Sequence, residues 1–464
     1  MNAQQPSPAG ETSMLRIVAT SSIGTMLEYF DFFVYVALTG TLTHLFLPSS
    51  ANGLGALVGV ATFGVAYLAR PLGTLVFSPM ADRLGRKRSF VITLAIMGIA
   101  TMAIGCLPTY SQIGIAAPLA LLSLRIVQGF ALGGEYGSAV VYVMEHAPAD
   151  SRGRFTSVLQ ATASVGLLLA LLIVSLLKAE LDPAQFEAWG WRVPFLLSAP
   201  IVGVATWIRL GMRESPVFDE LEREGALSES PLADTVRSAT SWRAILLAVF
   251  SAQGATSVSL YTSIVYMLYF MQNVLMVDAM HTNLCLAAAI LVAIPFYPLF
   301  GALSDRVGRA RVMLAGTVAW LVVAYPAFSG IQGAARASEW DEVAAIIGVM
   351  AILTAMIMAP LPAYISECFP ARTRTTGFGL AQQIGNILFG GFLPLISLSL
   401  VRWSGNPLAG IAYSIASLLP CVIAMYCWGL KQDASYRRSC KVEQDAALRA
   451  RQACNAVDRF GQAQ

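Results

Sequence analysis

The chain has 464 residues, of which 56% are hydrophobic and only 12% are charged, and its mean hydropathy is +0.65. Soluble domains carry about 25% charged residues, so the composition excludes a soluble globular protein and indicates a protein embedded in a membrane. A net charge of +3 gives no reason to expect a nucleic-acid partner. The seven cysteines are odd in number and form no C-x-x-C pair, so we predict no metal site and no cofactor.

Twelve apolar runs follow one another along the chain. A helix needs about 20 apolar residues to cross a bilayer, and the runs have about that length or more. The sequence therefore predicts an all-α integral membrane protein with twelve transmembrane helices. The runs are 16–46, 54–77, 89–108, 113–145, 155–177, 192–212, 243–272, 282–302, 312–330, 342–367, 376–400 and 407–430.

The longest internal polar segment lies between the sixth and seventh runs and is rich in Glu, Arg and Ser. We predict that it links two six-helix bundles. The predicted organisation is an N-terminal tail (1–15), a first bundle (16–212), the linker (213–242), a second bundle (243–430) and a C-terminal tail (431–464). The C-terminal tail is expected to be a solvated segment, since it lacks the clear heptads of a coiled coil.

Lysine and arginine are distributed unevenly between the two sides of the membrane. If the N-terminus lies inside, 23 of the 30 fall in cytoplasmic segments, and the outer loops hold Lys178, Arg192, Arg336 and Arg402. Positive residues accumulate in cytoplasmic loops. Both termini and the linker are therefore predicted to be cytoplasmic.

A short basic turn with one acid follows the second run and recurs after the eighth. Its core reads Asp82-Arg83-Leu84-Gly85-Arg86 and, in the second copy, Asp305-Arg306-Val307-Gly308-Arg309. A repeat at this distance indicates two homologous halves. Anchoring on the cytoplasmic side would explain the basic residues, but it explains neither the acid nor the glycine.

Five ionisable residues stand out within the apolar runs of the first half. They are Glu28, Asp31, Arg70, Arg125 and Glu135. An ionised side chain at the bilayer centre costs roughly 2.5–3.5 kcal/mol, so such residues usually line an aqueous path. Carboxylates near arginines in a wet cavity can gain and lose protons, and the three acids are predicted to couple to protons. The alternative is that acids and arginines pair only to hold helices together.

The second half has no charge well inside its helices and offers hydroxyl, amide and aromatic groups instead. Gln253, Ser257 and Tyr261 share one face of helix 7, while Gln382, Gln383 and Asn386 lie in helix 11. These groups suit hydrogen bonding to a substrate, although each alone is often a contact between helices.

Together these stretches resemble the major facilitator superfamily, and further motifs resemble its metabolite:proton symporter family. The D-R-x-G-R turns are that superfamily's loop motif, and Arg125-Ile126-Val127-Gln128-Gly129 is similar to its helix 4 motif. The narrower motifs are Gly24-Thr25-Met26-Leu27-Glu28-Tyr29-Phe30-Asp31-Phe32, Ala69-Arg70-Pro71-Leu72-Gly73, Gly133-Gly134-Glu135-Tyr136-Gly137, Trp189-Gly190-Trp191-Arg192-Val193-Pro194-Phe195, Glu214-Ser215-Pro216-Val217-Phe218 and Glu367-Cys368-Phe369-Pro370.

The resemblance implies two pseudo-symmetric bundles that rock about a central site, and proton-coupled import of a small polar metabolite. The substrate-binding candidates are Arg70, Arg125, Gln128, Tyr35, Gln160, Tyr261, Gln382 and Asn386. The turn residues Asp82, Arg83, Gly85, Arg86, Asp305, Arg306, Gly308 and Arg309 are expected to form a conformational latch, with the acids bonding helix N-termini or arginines. The implied setting is a bacterial inner membrane, with a bilayer, protons and metabolite as partners and a functional monomer.

The turn departs from the motif at two positions, Ser78 and Ala310. Ala310 replaces a basic residue in the second copy. Ser78 stands where the motif usually has glycine, so helices 2 and 11 are expected to approach less closely. Pro79 is expected to end helix 2, since proline lacks the backbone N–H that a helix interior uses.

Other functions fit the sequence less well. Helix 5 lacks the Gly-Pro pair of drug/proton antiporters, and the acids of helix 1 fit poorly with sugar porters. A metabolite receptor would need a signalling domain, which the tail does not resemble. An intramembrane enzyme would need a nucleophile–base or metal constellation, and none is present in the sequence.

The charge of the predicted cavity bears on the substrate. Three acids against two arginines give a net charge of −1, which one proton neutralises. A neutral site of low dielectric favours a monocarboxylate, a dicarboxylate taken with extra protons, or a zwitterion such as proline or betaine. Because helices 7 and 11 resemble the oxoglutarate and citrate members, a small carboxylate is the prediction.

Overall fold

The computed structural model describes residues 11–47 and 55–435, so the predicted N-terminal tail up to residue 10 and the C-terminal tail from residue 436 lie outside the described residues. Twelve long helices account for most of the described chain, as predicted. They are α1 (Glu11–Phe46), α2 (Gly55–Leu84), α3 (Arg86–Cys106), α4 (Ala116–His146), α5 (Arg152–Glu180), α6 (Gly190–Leu210), α7 (Ala239–Val274), α8 (Ala279–Val307), α9 (Arg309–Arg336), α10 (Trp340–Glu367), α11 (Ala371–Ser404) and α12 (Ala409–Ser435).

All the long helices except α2 have the hydropathy and length of a membrane span over the residues that the structure describes. With its 30 residues, α2 is also long enough to cross a bilayer. Short helices occupy the connections, at Tyr110–Ile113, Pro183–Ala188, Pro216–Arg223 and Pro231–Arg237.

Several helices extend beyond the apolar runs that predicted them. α1 begins at Glu11 rather than at 16, α7 begins at Ala239 rather than at 243, and α12 ends at Ser435 rather than at 430. A backbone hydrogen-bond ladder does not require apolar side chains, so the helices continue into polar residues at the membrane surface. The linker between the bundles holds the short helices at Pro216–Arg223 and Pro231–Arg237.

The two six-helix halves meet along two helix pairs. α2 packs on α11, and α5 packs on α8, while the remaining extensive contacts, such as α2 with α4 and α9 with α10, lie within a half. In each pair, the second helix of one half contacts the fifth helix of the other half. This is the arrangement of two bundles related by a pseudo-two-fold axis.

The two expectations based on Ser78 and Pro79 are wrong. Pro79 lies inside α2, which continues to Leu84, because helices packed in membranes tolerate an interior proline when neighbouring groups satisfy the freed backbone. Ser78 does not separate α2 from α11. A Cβ atom added to Gly379 of α11 would lie 2.6 Å from the Ser78 hydroxyl, so the missing glycine on α2 is replaced by one on α11.

Helices α7 and α11 contain stretches of π-helix, and the first two stretches of α7 pack against α11. The stretches are Val249–Gln253, Tyr261–Tyr266 and Phe270–Val274 in α7 and Asn386–Gly391 in α11. Such insertions are rare and frequently mark functional sites. In this protein they turn polar side chains of both helices toward the interface between the halves.

Candidate functional site: a polar cavity between two bundles

A small polar cavity lies between the two halves. Its volume is about 30 Å³, enough for about one water molecule. The first half contributes Glu28, Tyr29, Arg70, Leu132, Tyr136 and Gln160, and the second half contributes Gln253, Thr256, Ser257, Leu260, Tyr261, Met358, Leu361, Gln382, Gln383 and Asn386. This central cavity therefore joins an ionisable wall to a neutral, hydrogen-bonding wall.

The neutral wall is held together by hydrogen bonds to one side-chain amide, that of Asn386. Gln253 donates from Nε2 to Oδ1 of Asn386 at 2.9 Å, and the Ser257 hydroxyl donates to the same oxygen at 2.8 Å. This network ties α7 to α11. Oε1 of Gln253 and Oε1 of Gln383 are buried without a hydrogen-bond partner among the described residues, so acceptors on this wall remain available to a ligand.

A second, smaller cavity of about 10 Å³ lies within the first bundle. Glu28 and Arg70 line both cavities. The remaining wall of the smaller cavity includes Asp31, Arg125 and Gln128. The ionisable residues that the sequence predicted on three separate helices are therefore brought to one place.

A chain of hydrogen bonds connects these polar residues. The Thr101 hydroxyl donates to Oδ2 of Asp31 at 2.7 Å, Gln128 donates from Nε2 to the Thr101 oxygen at 2.6 Å, and Arg125 donates to Oε1 of Gln128 at 2.9 Å. The Arg125 guanidinium lies 3.6 Å from the centre of the Tyr35 ring, a cation–π contact. Both Asp31 and Arg125 are at least 97% buried.

A third arginine completes the ionisable cluster. Arg209, near the end of α6, contacts Oε1 of Glu135 at 3.2 Å and donates to the Phe90 carbonyl at 3.0 Å. Both partners of the ion pair are fully buried. A Cβ atom on Gly24 would lie 1.5 Å from the guanidinium, so Gly24 leaves the space through which Arg209 reaches the inside of the bundle.

The first repeated turn closes one face of the molecule, here called the turn face. The Asp82 carboxylate accepts hydrogen bonds from the backbone N–H groups of Thr375 and Thr376, at 3.2 and 2.8 Å, and from the Thr376 hydroxyl. These groups lie at the start of α11, in the other half. A carboxylate at a helix N-terminus is stabilised by the unpaired N–H groups and the helix dipole.

The second turn makes the equivalent contact, with the roles of the two halves exchanged. The Asp305 carboxylate accepts from the backbone N–H groups of Gly153 and Arg154, both at 2.8 Å, at the start of α5. Each half thus places one acid on a helix N-terminus of the other half.

Buried ion pairs reinforce both contacts. Glu145 of α4 lies 3.3 Å from Arg86 and 3.0 Å from Arg374 of α11. In the second half, Arg309 contacts Glu367 at 2.7 Å and Asp305 at 2.8 Å. The turn face is therefore closed by charges that cross between the halves.

The glycines of the two turns have positive φ angles, +103° at Gly85 and +119° at Gly308. The glycine also makes room for a carboxylate, because a Cβ atom on Gly85 would lie 2.3 Å from Glu214. Glu214 accepts from the backbone N–H groups of Arg86 and Lys87 at the start of α3. Burial raises the pKa of Glu214, and the N–H groups of Ser215 and Lys87 oppose that rise.

The face opposite the turns holds a large cavity. It has a volume of about 680 Å³, is here called the vestibule, and is lined by the ends of α1, α5, α7, α8 and α11. Its lining comes from both halves. The protein is thus closed by contacts between the halves at the turn face and holds a wide cavity at the opposite face.

Sequence comparisons decide the family. Residues 17–226 match the family model for "Sugar (and other) transporter", and residues 249–451 match the model for "Major Facilitator Superfamily". The shikimate transporter of Escherichia coli is 33% identical over 87% of this chain and 92% of its own length. This chain belongs to the major facilitator superfamily.

Two further relatives differ in what their names say they carry. The citrate–proton symporter of Klebsiella pneumoniae is 30% identical over 94% of this chain and 98% of its own length. The proline/betaine transporter of Escherichia coli is 33% identical over 84% of this chain and 78% of its own length. The resemblance to the metabolite:proton symporters is confirmed, and the chain is a multi-pass membrane transporter and not an enzyme.

A solved structure has the same fold. The proton:xylose symporter XylE covers 90% of this chain with a TM-score of 0.69, at 16% sequence identity, over 96% of its own chain. The predicted fold class, twelve helices in two pseudo-symmetric bundles, is confirmed.

The candidate substrate-binding residues divide into three sets. Arg70, Gln160, Tyr261, Gln382 and Asn386 line the central cavity. Arg125 and Gln128 line the smaller cavity. Tyr35 lies under Arg125.

The candidate latch residues also divide. Asp82 and Asp305 make the contacts between halves described above, and Arg86 and Arg309 support them from buried positions. By contrast, the side chains of Arg83 and Arg306 are exposed at the turn face.

Sequence reasoning missed two residues of the site, Arg209 and Thr101. Arg209 stands at the end of an apolar run and resembles a residue that anchors the membrane surface. A hydroxyl such as Thr101 in an apolar run is too common to be informative. The one sequence feature that pointed toward Arg209 was Gly24. A glycine inside a helix can leave space for a large side chain, but the sequence does not show which side chain fills it.

Replacing Arg209 tests whether Arg209 and Glu135 stabilise the protein by pairing with each other. We expect Arg209→Gln to lower the melting temperature strongly, because a buried carboxylate loses its partner, at a typical cost of 3–5 kcal/mol. The double variant with Glu135→Gln should recover most of the stability. Thermal unfolding of the purified protein in detergent measures both, with exposed Arg223→Gln as the control. Equal destabilisation by the single and double variants would contradict the pairing.

Proposed function

We propose that this protein imports a small carboxylate by proton symport, through alternating access of the central cavity. The proposal rests on one observation, the balance of charge in the buried cluster. Three acids and three arginines lie there. They are Glu28, Asp31, Glu135, Arg125 and Arg209, which are buried, and Arg70, which is half-buried beside them.

The third arginine changes the charge count made from the sequence. With all six groups ionised the cluster is neutral, and with one proton bound it carries +1. A buried positive charge in low dielectric attracts an anion strongly. A monocarboxylate entering with one proton restores neutrality, and a dicarboxylate would do so with two.

Glu28 is the best-placed group to carry that proton. It is 94% buried, lines both cavities, and its Oε2 has no hydrogen-bond partner among the described residues. Glu135 is paired with Arg209, and Asp31 accepts a bond from Thr101. Asp31 borders only the smaller cavity and Glu135 borders neither, so Glu28, which borders both, is favoured over the other two acids.

Uptake into proteoliposomes tests the substrate class directly. Radiolabelled shikimate, citrate, α-ketoglutarate, proline and glycine betaine would be offered with an inward proton gradient, with and without a protonophore. We expect a carboxylate to accumulate and the protonophore to abolish the accumulation. Empty liposomes are the control. Accumulation of proline or betaine with no carboxylate uptake would replace the proposal with a zwitterion symporter, as the proline/betaine relative suggests.

Neutralising Glu28 tests the proton site. We expect Glu28→Gln to abolish proton-driven accumulation but to retain exchange of labelled for unlabelled substrate, because exchange requires no net proton movement. The control is exposed Glu222→Gln, which should behave as the wild type. If Glu28→Gln accumulates substrate normally while Asp31→Asn or Glu135→Gln does not, the proton site is assigned to the wrong acid.

The orientation and setting follow from the charge distribution and the relatives. We propose that the turn face is cytoplasmic, with both termini on that side, in a bacterial inner membrane, and that the monomer is the transporting unit. The closed turn face and the open vestibule then correspond to an outward-open conformation. Asp82 and Asp305 are latches that hold it, because each bonds a helix N-terminus of the other half.

Weakening one latch should open the turn face. We expect Asp82→Asn to raise the alkylation rate of half-buried Cys368 several-fold, because an amide is a weaker partner than a carboxylate for the N-terminus of α11. Mass spectrometry of the alkylated peptide measures this rate. The control is Arg83→Gln, which removes an exposed charge beside Asp82. A latch role is ruled out if Asp82→Asn leaves both alkylation and transport unchanged.

A further inference from the structure

Among the residues that the structure describes, the vestibule lining carries charge of one sign. It includes two basic residues, Lys178 at the end of α5 and Arg402 at the end of α11, and no acidic residue. The two come from different halves, and both side chains are exposed to solvent. The remaining lining is apolar or neutral and polar, with Gln272, Asn273 and Asn283 among the polar groups.

The rest of this face is rich in acids. The connections and helix ends on the vestibule side hold seven carboxylates, Glu180, Asp182, Glu187, Asp278, Glu339, Asp341 and Glu342. The basic pair is thus an exception on a face whose other charges are mostly negative, and it lies at the entrance of the cavity.

The nearest acids along the chain have other partners or positions. Asp278 precedes Ala279, which lines the vestibule, but its carboxylate accepts from the backbone N–H groups of Met280 and His281 and contacts the His281 ring. Those bonds lower the pKa of Asp278. Glu180 is two positions from Lys178 on the same helix, and residues at that spacing do not face each other.

Helix α1 contributes both to the vestibule and to the buried cluster. Val36 lines the vestibule, and its neighbour in the chain, Tyr35, lies under Arg125. The vestibule and the first buried arginine therefore contact adjacent positions of one helix.

We propose that Lys178 and Arg402 form an anion-capture site, which concentrates the carboxylate substrate in the vestibule before it enters the central cavity. This inference rests on the proposed function for the identity of the anion. A charged funnel raises the local concentration of an oppositely charged ligand and its association rate, and the effect falls with ionic strength. A zwitterion would gain nothing from it.

Transport kinetics provide the first test. In proteoliposomes, at about 10 mM salt, where the screening length is about 30 Å, the variant Lys178→Gln/Arg402→Gln should raise the KM for the accumulated carboxylate by about tenfold, with kcat unchanged. At about 1 M salt, where the screening length is about 3 Å, the difference should vanish. Arg336→Gln is the matched control, an exposed arginine on the same face outside the vestibule lining.

Thiol labelling provides a second test that does not depend on the substrate. Ser399 lines the vestibule one turn before Arg402. In Ser399→Cys, an anionic methanethiosulfonate should react faster than a neutral one, and removal of Lys178 and Arg402 should abolish the preference. Mass spectrometry of the labelled peptide separates this thiol from the native cysteines.

The two failures can be distinguished. A carboxylate KM that is the same in the wild type and the double variant at low salt, with no anionic preference at Ser399→Cys, overturns the capture site and leaves the proposed function standing. Uptake of a zwitterion only, with the anionic labelling preference intact, overturns the proposed function and the role in substrate capture, while confirming the positive field of the vestibule.

Discussion

The structure depends on the compensation of buried charge. Six ionisable side chains lie inside the first bundle, where an uncompensated charge is costly. Arg209 pairs with Glu135, Thr101 and Gln128 bridge Asp31 to Arg125, and the Tyr35 ring lies under the Arg125 guanidinium. The positions of α1, α3, α4 and α6 relative to one another are therefore set by electrostatics as well as by packing. Because the cluster is balanced, a single proton changes its net charge and with it the affinity for an anion.

At the turn face the charge of carboxylates is also compensated, but by the N-termini of helices rather than by arginines. Asp82 and Asp305 each use the unpaired N–H groups of a helix in the other half. The N–H groups belong to one half and the acid to the other, so separation of the halves would break the contact completely and leave both groups solvated. That property suits a transporter in which two rigid bundles rock about a central site.

The sequence predicted the parts of this structure that follow from periodicity and repetition. Hydropathy located the twelve helices, the repeated turn located the two halves, and the ionisable residues found inside the first-half runs, Glu28, Asp31 and Arg125 among them, do lie around one cavity. What it could not predict were relations between distant positions. Arg209 enters the cluster only because Gly24 leaves room for it, and Ser78 is accommodated only because Gly379 lies opposite. Such pairs depend on how the helices pack in three dimensions. A single sequence does not show which positions of different helices face each other.

Coupling between proton and substrate needs no long pathway in this arrangement. Glu28 borders both the charged cavity and the central cavity, so its carboxyl would lie directly beside an anion in the central cavity. Protonation of Glu28 would remove a negative charge that repels such an anion in a site of low dielectric, and the effect would be reciprocal. In the proposed mechanism, binding of the proton and binding of the anion would therefore favour each other. The neutral wall built by Gln253 and Asn386 adds hydrogen bonds without adding charge, so it can select the shape of the ligand without disturbing this balance.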